Sequence, residues 1–231
     1  VNEESQMKKK SIAIALISSS MAWLGLGARA DVNETFTTAD QNPWDGTADL
    51  TWLGNVGTMQ VYSNILSQIS LTDVDPHVIL TDMGTTGYDD GRSWSGMLGS
   101  AGGAMAVNAN HWGGLLLASD STNVVDILAG SMNGFRLIWK TGDYLALEEA
   151  AGAGWIELEA VSIGAQNFEV DPTFTATLSS AGIFTFADDQ GNAGSYNAGG
   201  PVSPGQYAGY IFQCATTTRS FEMDDFSVAA E

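Results

Sequence analysis

One cysteine, five prolines, two histidines and eight Lys+Arg in 231 residues leave this sequence short of most of the groups that carry covalent or metal chemistry. A single cysteine excludes a disulfide scaffold, and with it a zinc site built on thiolates. His77 and His111 stand far apart in sequence, with no His-x-Glu or His-Glu-x-x-His arrangement to suggest a zinc hydrolase. No Gly-x-Ser-x-Gly elbow supports a nucleophilic triad. The glycine-rich run Gly99–Gly103 lacks the lysine of a phosphate loop. Cations are outnumbered by 27 Asp+Glu, giving a formal net charge of -19. Nucleic acid and anionic membrane surfaces are excluded as partners, because both require a cationic surface to displace counterions.

What is abundant is apolar and small. Hydrophobic residues make up 44% and there are 27 glycines, enough to bury a core and too apolar for a disordered chain. The opening reads as an address. Met7 is followed by Lys8, Lys9 and Lys10, an apolar stretch from Ile12 to Leu26, and Ala28-Arg29-Ala30, the small-x-small form of a cleavage site. The stretch is short for a spanning helix, which needs roughly 20 residues. Residues 1–30 are therefore expected to be a signal peptide, with 1–6 upstream of the native start. Its removal takes four of the eight basic residues and leaves an exported, acidic chain with no membrane span.

Residues 31–231 alternate with period two in many short runs. Phe135, Leu137 and Trp139 share one strand face, and Thr141-Gly142 is a turn short enough to form a hairpin with Asp143–Glu148. Trp155–Val161, Phe174–Leu178, Gly182–Phe186, Gln206–Phe212 and Phe221–Val228 continue the pattern. Asn123–Leu128 is the nearest helical candidate and is very short. The Gly-, Asn- and Ser-rich segments 84–104 and 188–205 read as exposed loops. The expected fold is all-β: a single two-sheet antiparallel jelly-roll sandwich over residues 31–231.

Several landmarks, in order, resemble the laminin-G/concanavalin-A-like jelly-roll modules of exported bacterial surface proteins. They begin with Phe36 to Gly46, containing Asn42-Pro43-Trp44, and continue with Trp52-Leu53-Gly54-Asn55, Met59-Gln60-Val61 and Leu66–Leu71. Leu115–Asp120 with Asn133–Leu137 follows, and Phe221–Val228, with its Asp-Asp-Phe, closes the series. The resemblance spans residues 33–228. It implies a relationship in fold to lectins and carbohydrate-binding modules, a fold that also hosts adhesive and purely structural roles.

Three sets of residues are candidates for function. Trp155, Glu157 and Glu159 alternate opposite Ile156 and Leu158, so an indole and two carboxylates are expected on one outer sheet surface, where sugar binders stack a ring and bond its hydroxyls. Glycosidases of the fold resemble a strand with three alternating acids, and here Val161 fills the third place, which weakens a catalytic reading. A second rim is formed by Arg92, Trp94 and Trp112, near Tyr88. Asp45, Asp224 and Asp225 are candidate ligands for a structural calcium, which the resemblance implies can tie the terminal strands; the alternative is surface carboxylates that keep an edge soluble. Asp89-Asp90-Gly91 and Asp188–Asn192 read as turns. Of six tryptophans after residue 30, two or three at most are expected in a platform. The first expectation is a non-catalytic module for extracellular polysaccharide or another surface ligand. A structural or adhesive surface protein is the second, and a glycosidase the third.

Overall fold

The alternating segments become strands of two stacked antiparallel sheets in a computed structural model that describes residues 32–69, 75–83, 91–101, 103–202, 205–214 and 219–230. The expected signal peptide, Tyr88, Asp89 and Asp90 lie outside the described residues. One sheet runs β13 (Ala193–Asn197), β12 (Ile183–Asp188), β11 (Thr173–Leu178), β6 (Arg92–Ala101), β15 (Ser220–Ala230), β4 (Ile65–Gln68) and β3 (Met59–Tyr62). Its eighth strand, β1 (Val32–Glu34), pairs with Phe226–Val228 of β15, while β4 pairs with Glu222 and Met223 of the same strand. The other sheet runs β10 (Trp155–Ser162), β9 (Tyr144–Ala151), β8 (Asn133–Lys140), β7 (His111–Ser119), β14 (Tyr207–Cys214), β5 (His77–Asp82) and β2 (Trp52–Gly54).

Burial follows the alternation where one face alone meets the core. Phe135, Leu137 and Trp139 of β8 point inward and meet Phe174, Ala176 and Leu178 of β11 and Phe184 and Phe186 of β12 in one continuous cluster. Phe135 and Phe184 lie 4.8 Å apart across the gap, and Trp139 meets Phe174 edge-on at 5.5 Å. Each fully buried phenylalanine contributes about 1.5–3 kcal/mol relative to exposure.

Segment 84–104, expected as loop, contains β6, a ten-residue strand held between β11 and β15. Its glycines mark close approach rather than a turn: a Cβ on Gly96 would fall 2.7 Å from the Tyr210 hydroxyl and 2.8 Å from Leu115. That hydroxyl donates to the Asp224 carbonyl, joining the two layers. In 188–205, expected as loop, residues 193–197 form the edge strand β13.

The seven-stranded sheet is also covered on part of its outer face. Val78, Leu80, Leu116, Ile138 and Ile211 are buried there beneath α1 (Val124–Ala129), which contributes the fully buried Ile127. Asn123 caps this single-turn helix by accepting from the Val125 N–H at 2.9 Å. Gly130 ends it in the left-handed region at φ 66°. The runs Val78-Ile79-Leu80 and Leu115-Leu116-Leu117 are buried on both sides, so they break the period-two rule.

At the opposite end, the buried Glu34 pins the segment that follows β1. Its carboxylate accepts from the backbone N–H groups of Phe36 at 2.5 Å and Leu50 at 2.8 Å, and from the Trp52 indole at 3.1 Å. A polar group buried in this way is tolerable only when donors converge on it.

Candidate functional site

The part of the outer face left open by α1 holds a cluster of aromatic and charged side chains. Successive residues of a strand point to opposite faces, so Arg136 and Lys140 of β8 emerge on the side away from Phe135, Leu137 and Trp139. The β8–β9 hairpin sets Glu148 directly opposite Arg136. Arg136 donates from Nε to Glu148 Oε2 at 2.7 Å, and its Nη2 lies 2.6 Å from the same oxygen. Lys140 Nζ lies 2.6 Å from Glu148 Oε1 and 2.6 Å from Glu157 Oε2. The Arg136 guanidinium sits between two indoles, 4.2 Å from the Trp155 ring and 5.4 Å from the Trp112 ring. Both rings are half-buried. Trp155 is fixed by donating from Nε1 to the Ile127 carbonyl at 2.9 Å, and Trp112 by donating to Gln213 at 2.8 Å.

The electrostatics follow from this packing. Burial acts to raise the Glu148 pKa, but the Arg136 charge and hydrogen bonds from Lys140 and Arg136 outweigh it and hold the carboxyl below its ordinary value. For Lys140, burial acts to lower the pKa, but hydrogen bonds donated to Glu148 and Glu157, with the charges of both carboxylates, leave it raised. Burial lowers the Arg136 value against the pull of Glu148. The result is two anions and two cations interlocked around two indole faces.

Trp155 and Glu157 share this surface, opposite Ala150 and Glu148. Glu159 does not. A β-bulge between Glu157 and Glu159 sets Glu159 opposite Leu147, on the other face of the sheet. One extra residue reverses the alternation from that point on, which a period-two reading assumes unbroken. Ile156, expected in the core, is 56% exposed on the edge strand β10, whereas Leu158 and Val161 pack against the main core.

The second expected rim is divided by the fold. Trp112 joins Trp155 on the outer face, but Arg92 and Trp94 are each 2% exposed within β6. Polar, glycine-rich neighbours suggested a loop there; these neighbours belong instead to a central strand. Among the described residues four tryptophans, Trp44, Trp52, Trp94 and Trp139, are buried, leaving Trp112 and Trp155 as the accessible pair.

The three candidate calcium ligands sit in different local settings. The Asp45 carboxylate is fully exposed and takes the Thr47 hydroxyl and N–H, which lower its pKa. Asp224 accepts from the Asp225 N–H at 2.8 Å, and burial raises its pKa, aided by the charges of Asp225 and Glu34. Asp225 is exposed, at φ 51°. Among the described residues no group of three or more His, Cys, Asp or Glu side chains converges to hold a metal ion. Asp188 heads a turn, as expected, its carboxylate filled by the Gln190 and Asn192 N–H groups, the Asn192 amide and the Trp139 indole.

Arg136, Lys140 and Glu148 were not singled out from the sequence. The available signal was the scarcity of cations: Arg136 and Lys140 lie at even spacing on one strand, and the Thr141-Gly142 turn registers them against Glu148.

The layer order and the two antiparallel sheets define a concanavalin-A-like lectin fold. Similar solved structures include the Ca2+/Man2-bound VIP36 exoplasmic/lumenal domain, at TM-score 0.63 and 10% identity, covering 87% of each chain. The Emp47p carbohydrate recognition domain matches at TM-score 0.59 and 11% identity, over 87% of this chain and 94% of that one. A protein of unknown function from Shewanella oneidensis MR-1 matches at TM-score 0.54 and 12% identity, over 87% and 85%. No protein family and no curated protein matches the chain by sequence. No helix among the described residues is long and apolar enough to cross a membrane.

Proposed function

We propose that this protein is an exported, non-catalytic module that binds carbohydrate on the open face of its seven-stranded sheet. The observation that carries this reading is the Trp112–Arg136–Trp155 sandwich, two accessible indoles held rigid beside Glu157, Lys140 and Gln213. Sugar recognition needs a preformed apolar surface for the ring with polar groups placed around it. The recognition domains of similar fold support the same reading, as does the resemblance to laminin-G-like surface modules. The leader proposed for residues 1–30 is consistent with export to the cell surface or beyond, where polysaccharide is the proposed partner.

Glycoside hydrolysis is less well supported. Glu148 and Glu157 face one another, and a retaining mechanism uses carboxyls about 5–5.5 Å apart. It also needs one of them kept protonated, whereas Glu148 is held ionised and Glu157 is ion-paired to the same ammonium. A structural or adhesive role draws on the exposed Ile156 of edge strand β10. The bulge and the charges of Glu157 and Glu159 blunt that edge against pairing.

The test is binding to a polysaccharide panel, with and without calcium, by wild type and by Trp112→Ala. Loss of at least tenfold in affinity with retained circular dichroism is expected. Undiminished binding by the variant, or no binding to any polysaccharide, overturns the reading.

A further inference from the structure

The strands that carry the platform expose a second polar surface on their inner side. Phe135 and Glu149 occupy the positions adjacent to Arg136 and Glu148, and so face the opposite way, opposite one another across the β8–β9 ladder. With Asn133, Ala150, Tyr196 of β13 and the segment Ala198–Val202 they line a cavity of about 480 Å³ at the end of the sandwich. That volume lies within the range of about 300–1,000 Å³ found for small-molecule sites.

The lining has a definite chemistry. Phe135 is buried against Phe184 at 4.8 Å and forms an apolar floor. Asn133 is held in place, donating from its amide to Asp120 at 2.6 Å. Glu149 and Tyr196 are half-buried, and among the described residues neither the carboxylate nor the hydroxyl makes a hydrogen bond or an ion pair with the protein. Both groups are open to water or to a ligand entering the cavity. A carboxylate accepts only, whereas a tyrosine hydroxyl both donates and accepts. No Lys or Arg lines the cavity, so an anion meets an uncompensated negative charge.

We infer that this cavity, formed by Phe135, Glu149, Tyr196 and Gly199–Val202, is a binding site for a neutral sugar of one or two rings, with Glu149 accepting from adjacent hydroxyls. It is separate from the Trp112–Trp155 platform and goes beyond the polysaccharide reading of that surface. Small sugars would enter at the open end, and the same two strands would carry a ligand on each face.

Nuclear magnetic resonance titration tests it, following the Gly199 and Gly200 amides of the wild-type protein. The probes are glucose, mannose, galactose, N-acetylglucosamine, cellobiose, maltose and mannobiose, with glucosamine and glucuronate as charged controls. At least one neutral sugar is expected to shift these amides saturably. Its affinity should fall at least tenfold in Glu149→Gln and at least threefold in Tyr196→Phe, and stay unchanged in Trp112→Ala. Two near-isosteric variants guard against misfolding of either one. Silence of the amides to every neutral sugar, unaltered binding in Glu149→Gln, or response to glucosamine or glucuronate alone overturns the inference. Loss of polysaccharide binding in Trp112→Ala with the cavity titration intact separates failure of one site from failure of the other.

Discussion

Replacing Arg136 by methionine removes the one cation shared by Glu148, Trp112 and Trp155 while keeping most of the apolar stem. The magnitude follows from exposure: the Arg136 side chain is 12% exposed and that of Glu148 6%. Exposed ion pairs are worth at most about 1 kcal/mol, whereas breaking a buried pair costs about 3–5 kcal/mol because a charge is stranded. Lys140 remains to hold Glu148, which reduces the stranding. The two guanidinium–indole contacts add about 1 kcal/mol each in a partly desolvated setting. The expected net loss is about 2–4 kcal/mol. For a chain of this size that corresponds to roughly 4–16 °C in melting temperature.

Urea denaturation at neutral pH, followed by circular dichroism and tryptophan fluorescence, measures it. A double-mutant cycle with Trp112→Leu should return a coupling of about 1 kcal/mol between cation and ring. The cost should also shrink in acid. The Glu148 pKa is depressed on folding, so its stabilising contribution is present above the unfolded value and disappears as pH falls through the depressed folded value. A loss below about 1 kcal/mol, or one independent of pH across that window, would show that Arg136 behaves as a surface residue and refute the interlocked platform.

Other perturbations test the frame around it. Burial raises the Glu222 pKa, and the charge of Asp171 raises it further; this contribution is present below the unfolded value and lost as pH rises through the folded one. Glu222→Gln should therefore raise the melting temperature at pH 7 by a degree or more, on the order of 0.5 kcal/mol, and lose that advantage below pH 4 in a calorimetric series. Gly130→Ala places a Cβ 2.5 Å from the Gly154 backbone at φ 66°. It should cost about 1–3 kcal/mol in chemical denaturation, and a neutral outcome would show that the α1–β10 junction yields freely.

How much of this was legible beforehand differs from strand to strand. The face of β8 holding Phe135, Leu137 and Trp139 could be read from spacing alone, because one side meets the core and the other does not. The central strand β6 could not, since Gly96 and Gly99 mimic loop composition, while Gly96 serves close approach to the other sheet and Gly99 close approach to Asp171. Val78–Leu80 and Leu115–Leu117 are buried on both sides because α1 covers part of the outer face, a covering that strand alternation does not foretell.

The candidate surface divides in the same way. The short Thr141-Gly142 turn, the alternation of β8 and β9, and the surplus of acids are local properties, and they determined an all-β sandwich with a charged outer face. Whether Glu159 joins Trp155, whether Trp94 faces solvent, and which carboxylate meets Arg136 were decided only by tertiary structure. A bulge shifts side-chain phase by one residue, and burial depends on what the other sheet and the short helix place over each strand. Those are long-range facts of packing, which local residue order does not encode.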